Sequence, residues 1–306
     1  MTLSVTFLGT SGAVPTVERN TSALHVRRDG DAFLFDAGEG TQRQMMRYGT
    51  GFDVDAVFLS HVHGDHVLGL PGLVQTWAFN DRETPVDIYT PRGTGREVRD
   101  LITAVGATPD YGLDVHEVGP GETVLDRDEY EIRTFRTEHR TRSVGYALAE
   151  RDRKGRFDRE HAEALGVPVG PKFSELHEGN PVELSDGTVV RPEQVVGDPR
   201  PGRTVVYTGD TRPIDAVVAA AEDADLLVHD ATFSDDDAER ARQTAHSTAG
   251  DAGRIASDAG AKRLALTHIS SRYGGHTGEL KADAEDAFDG DTLLAHDGLT
   301  IDVPLP

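Results

Sequence analysis

Three histidines and an aspartate crowd into six residues, His61-Val62-His63-Gly64-Asp65-His66, directly after the apolar run Val54 to Leu59 and Ser60. That run is short, rich in β-branched and aromatic residues, and bounded by Gly51 and Gly64, which predicts a buried strand opening into a loop. Packing does not explain such a loop. Imidazoles and a carboxylate crowd together where something positive holds them, and borderline metals such as zinc accept both ligand types. His61 and His63, two apart at a strand end, can point one way, while Asp65 and His66 lie on the next turn; the spacing points to more than one ion. Cysteine is absent, so disulfides and thiolate sites are excluded and any metal is held by His, Asp or Glu.

The rest of the chain repeats this pattern of strands ending in polar residues. Leu3 to Leu8 alternates and ends at Gly9-Thr10-Ser11-Gly12, which reads as an edge strand and a tight loop. Thr21 to Arg28 and Ala32 to Phe35 read as a hairpin, and Asp36-Ala37-Gly38-Glu39-Gly40-Thr41 leads into a helix from Gln42 to Tyr48 with Thr41 as its cap. Val67 to Phe79 has helical spacing, interrupted near Pro71. Then come strand Val86 to Tyr89, helix Gly95 to Val105, and strands Leu113 to Val118, Tyr130 to Thr137 and Ser143 to Ala149.

Between Glu150 and Arg203 periodicity fails, and Gly, Pro and charge accumulate, which reads as an inserted arm because the earlier style resumes after it. The second half carries strand Thr204 to Thr208 before Gly209-Asp210, helix Asp215 to Ala224 and strand Leu226 to Val228 before His229-Asp230-Ala231-Thr232. It continues with a long helix from about Asp236 to Ala259, strand Arg263 to Thr267 before His268, helix Lys281 to Ala287, and terminal strands Thr292 to Ala295 and Leu299 to Val303. Strands alternate with helices in both halves, which suits an α/β sandwich with a site along one rim of its sheets.

Further ligands must come from the other strand ends, where His139, Asp210 and His268 stand. With His61, His63, Asp65 and His66 they make seven, and one bridging carboxylate completes two open zinc sites suited to hydrolysis at phosphorus. His25, His116, His161, His177, His276 and His296 read as structural or surface residues. Arg19, Arg272 and Thr277 are weaker phosphate-binding candidates, as are Ser11 and the amides of Gly9 and Gly12.

Composition limits the partners. The chain holds 53 acidic against 31 basic residues, a formal charge of −22, with Lys only at 154, 172, 262 and 281. Such an acidic, Lys-poor surface resembles that of proteins adapted to high internal salt, and it argues against general attraction to nucleic acid, so no DNA partner is expected. No apolar stretch of about 18 residues exists, so no membrane partner is expected. The start lacks the basic, apolar pattern of a secretory leader, which predicts a cytoplasmic location.

His61-x-His63-x-Asp65-His66 with His139, Asp210 and His268 resembles the metallo-β-lactamase superfamily. Phe7 to Gly12, Pro15-Thr16-x-x-Arg19-Asn20, Asp36 to Gln42, Ser60 to Leu70, Tyr207 to Pro213 and Ala245-His246-Ser247-Thr248 further resemble ribonuclease Z, the tRNA 3′-processing endonuclease. The resemblance runs nearly end to end. It implies one α/β domain over 1–306, a four-layer αβ/βα sandwich, with a flexible tRNA-binding arm inserted at about 151–202.

It also implies two zinc ions per chain, one on His61, His63, His139 and Asp210, the other on Asp65, His66, Asp210 and His268. Asp65 would accept the proton of the attacking water, and His246 would stabilise the phosphate or protonate the leaving oxygen. The family has His-Glu-Ala-Thr where this chain has His229-Asp230-Ala231-Thr232, which leaves Asp230 as either the partner of His246 or a loop cap. The implied partners are precursor tRNA and a second subunit, with Arg151, Arg153, Lys154, Arg156 and Lys172 of the arm as substrate contacts. The implied reaction leaves a tRNA 3′-hydroxyl and a trailer 5′-phosphate. A hydrolase of small phosphodiesters or esters, or a tRNA-binding scaffold, are the alternatives.

Overall fold

The computed structural model describes residues 1–104 and 109–306 and divides into two compact units. The larger contains Met1–Ala149 and Thr204–Pro304; the smaller contains Glu150–Arg203 and Leu305–Pro306.

Two seven-stranded sheets build the larger unit. The first runs Thr300–Asp302, Leu3–Gly9, Ala23–Arg28, Asp31–Phe35, Ala56–Phe58, Val86–Pro91, Leu113–Val118. The second runs Asp291–Leu294, Arg263–Thr267, Leu226–Asp230, Thr204–Tyr207, Val144–Glu150, Tyr130–Arg136, Thr123–Asp126. Each is mixed, with its parallel part formed by strands that alternate with helices, such as Ala56–Phe58 beside Val86–Pro91 and Leu226–Asp230 beside Arg263–Thr267. Strands covered on both faces read as unbroken apolar runs, and these are buried throughout.

Between the sheets lies one apolar core. Phe58 stacks on Phe35 at 5.0 Å and on Tyr89 at 4.9 Å, and meets Tyr146 of the opposite sheet at 5.3 Å. The outer face of the first sheet packs under helices Thr41–Tyr48, Leu70–Phe79 and Gly95–Thr103, around Met45, Leu73, Trp77 and Val98. That of the second packs under Asp215–Ala220, Ala249–Asp258 and Gly278–Glu285, around Val217, Ile255 and Leu280. The result is the four-layer αβ/βα sandwich. No helix among the described residues is long and apolar enough to cross a membrane.

Several expectations are corrected. Leu3–Gly9 is not an edge strand, because the C-terminal strand Thr300–Asp302 returns to pair with it. Thr41 is the first helical residue rather than the cap; Gly40 holds the cap position, and the Thr41 hydroxyl donates to the carbonyl of Gly38 at 2.7 Å. Strand Thr123–Asp126 was not expected; it is short, lies at the edge of the second sheet, and only Leu125 of it is buried. The interruption expected near Pro71 is present: Gly64–Val67 and Leu70–Phe79 are separate helices, with the proline in the first turn of the second, where its missing N–H costs nothing. The described part of the next helix is Gly95–Thr103; its expected last residue, Val105, lies outside the described residues. The long helix is also broken: Ala238–Thr244 and Ala249–Asp258 are separated at Ala245, whose φ of 62° no α-helix admits.

The smaller unit has structure where periodicity failed. It contains helices Arg159–Ala164, Pro171–Glu178 and Pro192–Val195 and the pair Val182–Glu183 with Val189–Val190, around Ala162, Val167, Leu176, Val182, Val190 and Val195. Elements this short complete too few turns to show a period. Where the segment starts and ends, the buried Glu150 carboxylate takes bonds from Arg203 Nε and Nη2, each at 2.7 Å.

Phe58→Ala removes the ring that joins the two sheets and is expected to destabilise the protein by about 3–5 kcal/mol. Chemical denaturation measures this; a loss below about 1 kcal/mol would show that the stack is not a main support of the core.

Candidate metal centre

The strand-end residues converge from both sheets. His61 and His63 follow Ala56–Phe58, and Asp65 and His66 lie in the turn Gly64–Val67. The second sheet supplies His139 after Tyr130–Arg136, Asp210 after Thr204–Tyr207, and His268 after Arg263–Thr267. The loop carrying Asp210 passes so close to Ser60 that a Cβ on Gly209 would stand 2.5 Å from the Ser60 Cβ, and Gly209 has φ 58°. Only glycine fits that crossing.

Two donor sets result. In one, His63 Nδ1 lies 3.0 Å from His61 Nε2 and 3.2 Å from His139 Nε2, while Asp210 Oδ2 is 3.6 Å from His61 Nε2 and 3.8 Å from His139 Nε2. In the other, His66 Nε2 and His268 Nε2 are 3.3 Å apart, and Asp65 Oδ2 is 3.5 and 3.2 Å from them. Asp210 Oδ1 completes this set at 3.3 Å from His66 Nε2 and 3.2 Å from His268 Nε2. A tetrahedral ion with bonds of about 2.0–2.1 Å needs donors about 3.4 Å apart, so both sets fit zinc. Asp210 Oδ1 is buried and accepts no hydrogen bond among the described residues, a loss that a cation would cancel.

The ring nitrogens not facing the cluster are held from behind. Asp36, buried at the end of Asp31–Phe35 with φ 56°, accepts from His66 Nδ1 at 2.7 Å, the Ser60 hydroxyl at 2.7 Å and the Tyr207 hydroxyl at 2.6 Å. The Ser60 oxygen in turn sits 3.0 Å from His61 Nδ1. His139 Nδ1 donates to the carbonyl of Ala245 at 2.8 Å, so the helix break is itself part of the site. Such outer partners fix ring orientation and, in a neutral ring, leave the facing nitrogen bare. Asp36, Ser60, Tyr207 and Thr232, whose hydroxyl lies 2.8 Å from His268 Nδ1, were not expected as site residues; Asp36 and Thr232 carried only the weak signal of polar residues near strand ends.

Burial holds the His61, His63 and His139 imidazoles below their ordinary proton affinity, as neutral ligands should be. Burial works the same way on His66, but Asp210 and Asp36 outweigh it and hold its affinity well above the usual value. For Asp65 burial favours the neutral form, yet the His268 and His66 rings beside it keep it ionised well below the ordinary carboxylate range. The Ala13 amide donates to the same Asp65 Oδ2 at 2.7 Å.

Beside the cluster, His246 Nδ1 donates to Asp230 Oδ2 at 2.8 Å. Burial lowers the affinity of His246 for a proton, but the Asp230 carboxylate prevails and brings its pKa up to about 9. Asp230 thus fills both roles left open for it: it partners His246, and it also caps the loop by accepting from the Thr211 and Thr232 amides at 3.1 and 3.0 Å. His246 and Asp230 form an overlapping group with Asp210 and His268, but their mutual bond occupies the facing atoms.

Other candidates are engaged elsewhere. Arg19 Nη1 bonds the Thr10 hydroxyl at 2.7 Å and the Ala295 carbonyl at 2.6 Å, Arg272 pairs with Asp237 at 2.8 Å, and the Ser11 hydroxyl donates to the Val14 carbonyl at 2.7 Å. In the smaller unit, Arg153 donates to the Pro201 carbonyl at 3.1 Å and Lys172 to that of Glu183, while Arg151, Lys154 and Arg156 are exposed.

Comparison with known proteins agrees with this geometry. The pattern of the β-lactamase superfamily domain matches residues 194–269, and that of the anti-Pycsar protein Apyc1 matches residues 3–153. Human tRNase Z, short form, superposes with a TM-score of 0.71 at 27% identity, covering 99% of this chain and 100% of that one. The ribonuclease Z of Myxococcus xanthus is 48% identical over 303 residues, 99% of this chain and 98% of that protein. That of Halobacterium salinarum is 65% identical over 306 residues, 100% of this chain and 99% of that protein. Likeness of this degree from end to end means that the chain belongs to the ribonuclease Z family.

Proposed function

We propose that the chain is a zinc-dependent endoribonuclease that removes the 3′ trailer of precursor tRNA. The observation that carries this reading is the complete pair of donor sets, with the His246–Asp230 pair beside it, in a chain alike to ribonuclease Z over its whole length. His61, His63, His139 and Asp210 would hold one zinc; Asp65, His66, His268 and the same Asp210 the other. When bound, such a pair lowers the pKa of water and offsets the charge of an in-line displacement at phosphorus.

The chain's own residues account for the proton movements. Asp65, ionised, accepts the proton of the attacking water as its oxygen bonds to phosphorus. His246, protonated at neutral pH through Asp230, gives a proton to the 3′ oxygen of the tRNA as its bond to phosphorus breaks. The tRNA then keeps a 3′-hydroxyl and the trailer a 5′-phosphate.

The arm, Glu150–Arg203, supplies the tRNA contact in this reading. Exposed Arg151, Lys154 and Arg156 suit phosphates, with Arg153 and Lys172 nearby in the chain, and such contacts position RNA without reading its sequence. The enzyme acts as a homodimer; helices Thr41–Tyr48 and Leu70–Phe79, tied by the Gln42–Thr76 hydrogen bond, leave Met46 and Phe79 70% and 87% exposed for a second copy. Its acidic, Lys-poor composition supports work at high salt in the cytoplasm.

Two variants test the assignment on a 3′-extended precursor tRNA. His246→Ala should keep its zinc and its RNA affinity while turnover falls roughly 10²-fold or more; near-normal turnover with lost metal would contradict the role given to His246. Deleting about residues 152 to 198 should raise KM for precursor tRNA strongly and leave hydrolysis of a small phosphodiester nearly intact. Equal loss on both substrates would show that the arm supports the fold and does not hold RNA.

A further inference from the structure

We propose that Thr232 is a positioning residue of this centre: its hydroxyl sets which ring nitrogen of His268 carries hydrogen, and so joins the His246–Asp230 pair to a metal ligand. The inference rests on reading the cluster as a zinc site.

Counting hydrogens fixes the direction of each bond. The Thr232 oxygen lies 2.6 Å from Asp230 Oδ1, 2.8 Å from His268 Nδ1 and 3.2 Å from His246 Nδ1. A hydroxyl has one hydrogen and an ionised carboxylate can only accept, so that hydrogen goes to Asp230. Toward His268 the oxygen can then only accept, which requires the hydrogen of that ring on Nδ1. In the neutral ring that a cation requires, Nε2 is then left bare, 3.2 Å from both Asp210 Oδ1 and Asp65 Oδ2.

The hydroxyl is held where this works. Asp230 Oδ1 also accepts from the Thr232 amide at 3.0 Å, a turn in which an aspartate bonds the backbone two residues on, and one that a longer glutamate does not form. Thr232 and Asp230 are both buried, so water does not compete. The ring of His268 has little room to turn, since a Cβ on Gly12 would stand 2.7 Å from its Nδ1. The first donor set has the same device in mirror: Ser60 donates to Asp36 at 2.7 Å and faces His61 Nδ1 at 3.0 Å.

Zinc titration of metal-stripped protein against a competing chelator tests this, with precursor-tRNA kinetics beside it. The unaltered protein should bind two ions. Thr232→Val should weaken one of them about 10–100-fold and leave the other unchanged, with lower kcat and the same KM, while Thr232→Ser should restore both. Should the valine variant not fold, Thr232→Ala lacks the same hydroxyl and should show the same single loss. Unchanged affinity for both ions in the valine or alanine variant would overturn the proposal, as would a serine variant as damaged as valine. Failure of the unaltered protein to bind two ions would instead overturn the metal reading beneath it.

Discussion

The structure depends on one buried carboxylate. Asp210 is 2% exposed and stands between two groups of imidazoles, with one oxygen turned to each. Removing such a charge from water costs several kcal/mol unless opposite charge answers it. His268, His66 and His61 hold Asp210 ionised against that burial, well below the ordinary carboxylate range. Yet its Oδ1 takes no hydrogen bond among the described residues. An arrangement that buries a carboxylate this deeply and leaves an oxygen unanswered is built for cations.

Both sheets have to arrive at one rim for this to occur. The first contributes the loop Ser60 to His66, the second His139, Asp210 and His268, and the aromatic core around Phe58 keeps the two in register. Close backbone approach at Gly209 and the break at Ala245 are local costs that the packed sandwich carries. Behind the ligands, Asp36 and Asp230 each bond a hydroxyl that faces a ligand imidazole, Ser60 to His61 and Thr232 to His268. Asp230 meanwhile holds His246, so His246 and His268 share a support. Asp230, Thr232 and His268 thus form a continuous chain of contacts from His246 to the second donor set.

Much of this was legible in the chain. His61, His63, Asp65 and His66 stand so close in sequence that their joint role is written in their spacing, and the strand-end positions of His139, Asp210 and His268 follow from short apolar runs before each. Asp36 and Thr232 were not legible, because one polar residue near a strand end looks the same whether it caps a turn or orients a ligand. The pairing of Asp230 with His246 was left open, because residue types alone do not place a carboxylate 2.8 Å from an imidazole. The break at Ala245 carries no glycine or proline to mark it; tertiary contacts, His139 to the Ala245 carbonyl among them, outweigh helix propensity there. The edge position expected for Leu3–Gly9 failed because its second neighbour comes from the far end of the chain.

A bridging Asp210 would serve two ions at once. Metal analysis of the purified protein and of Asp210→Ala, each loaded with zinc and freed of excess, measures this directly. Two ions in the unaltered protein and one or fewer in the variant are the predicted result, since a bridging ligand belongs to both sites. Two tightly held ions in Asp210→Ala would contradict it.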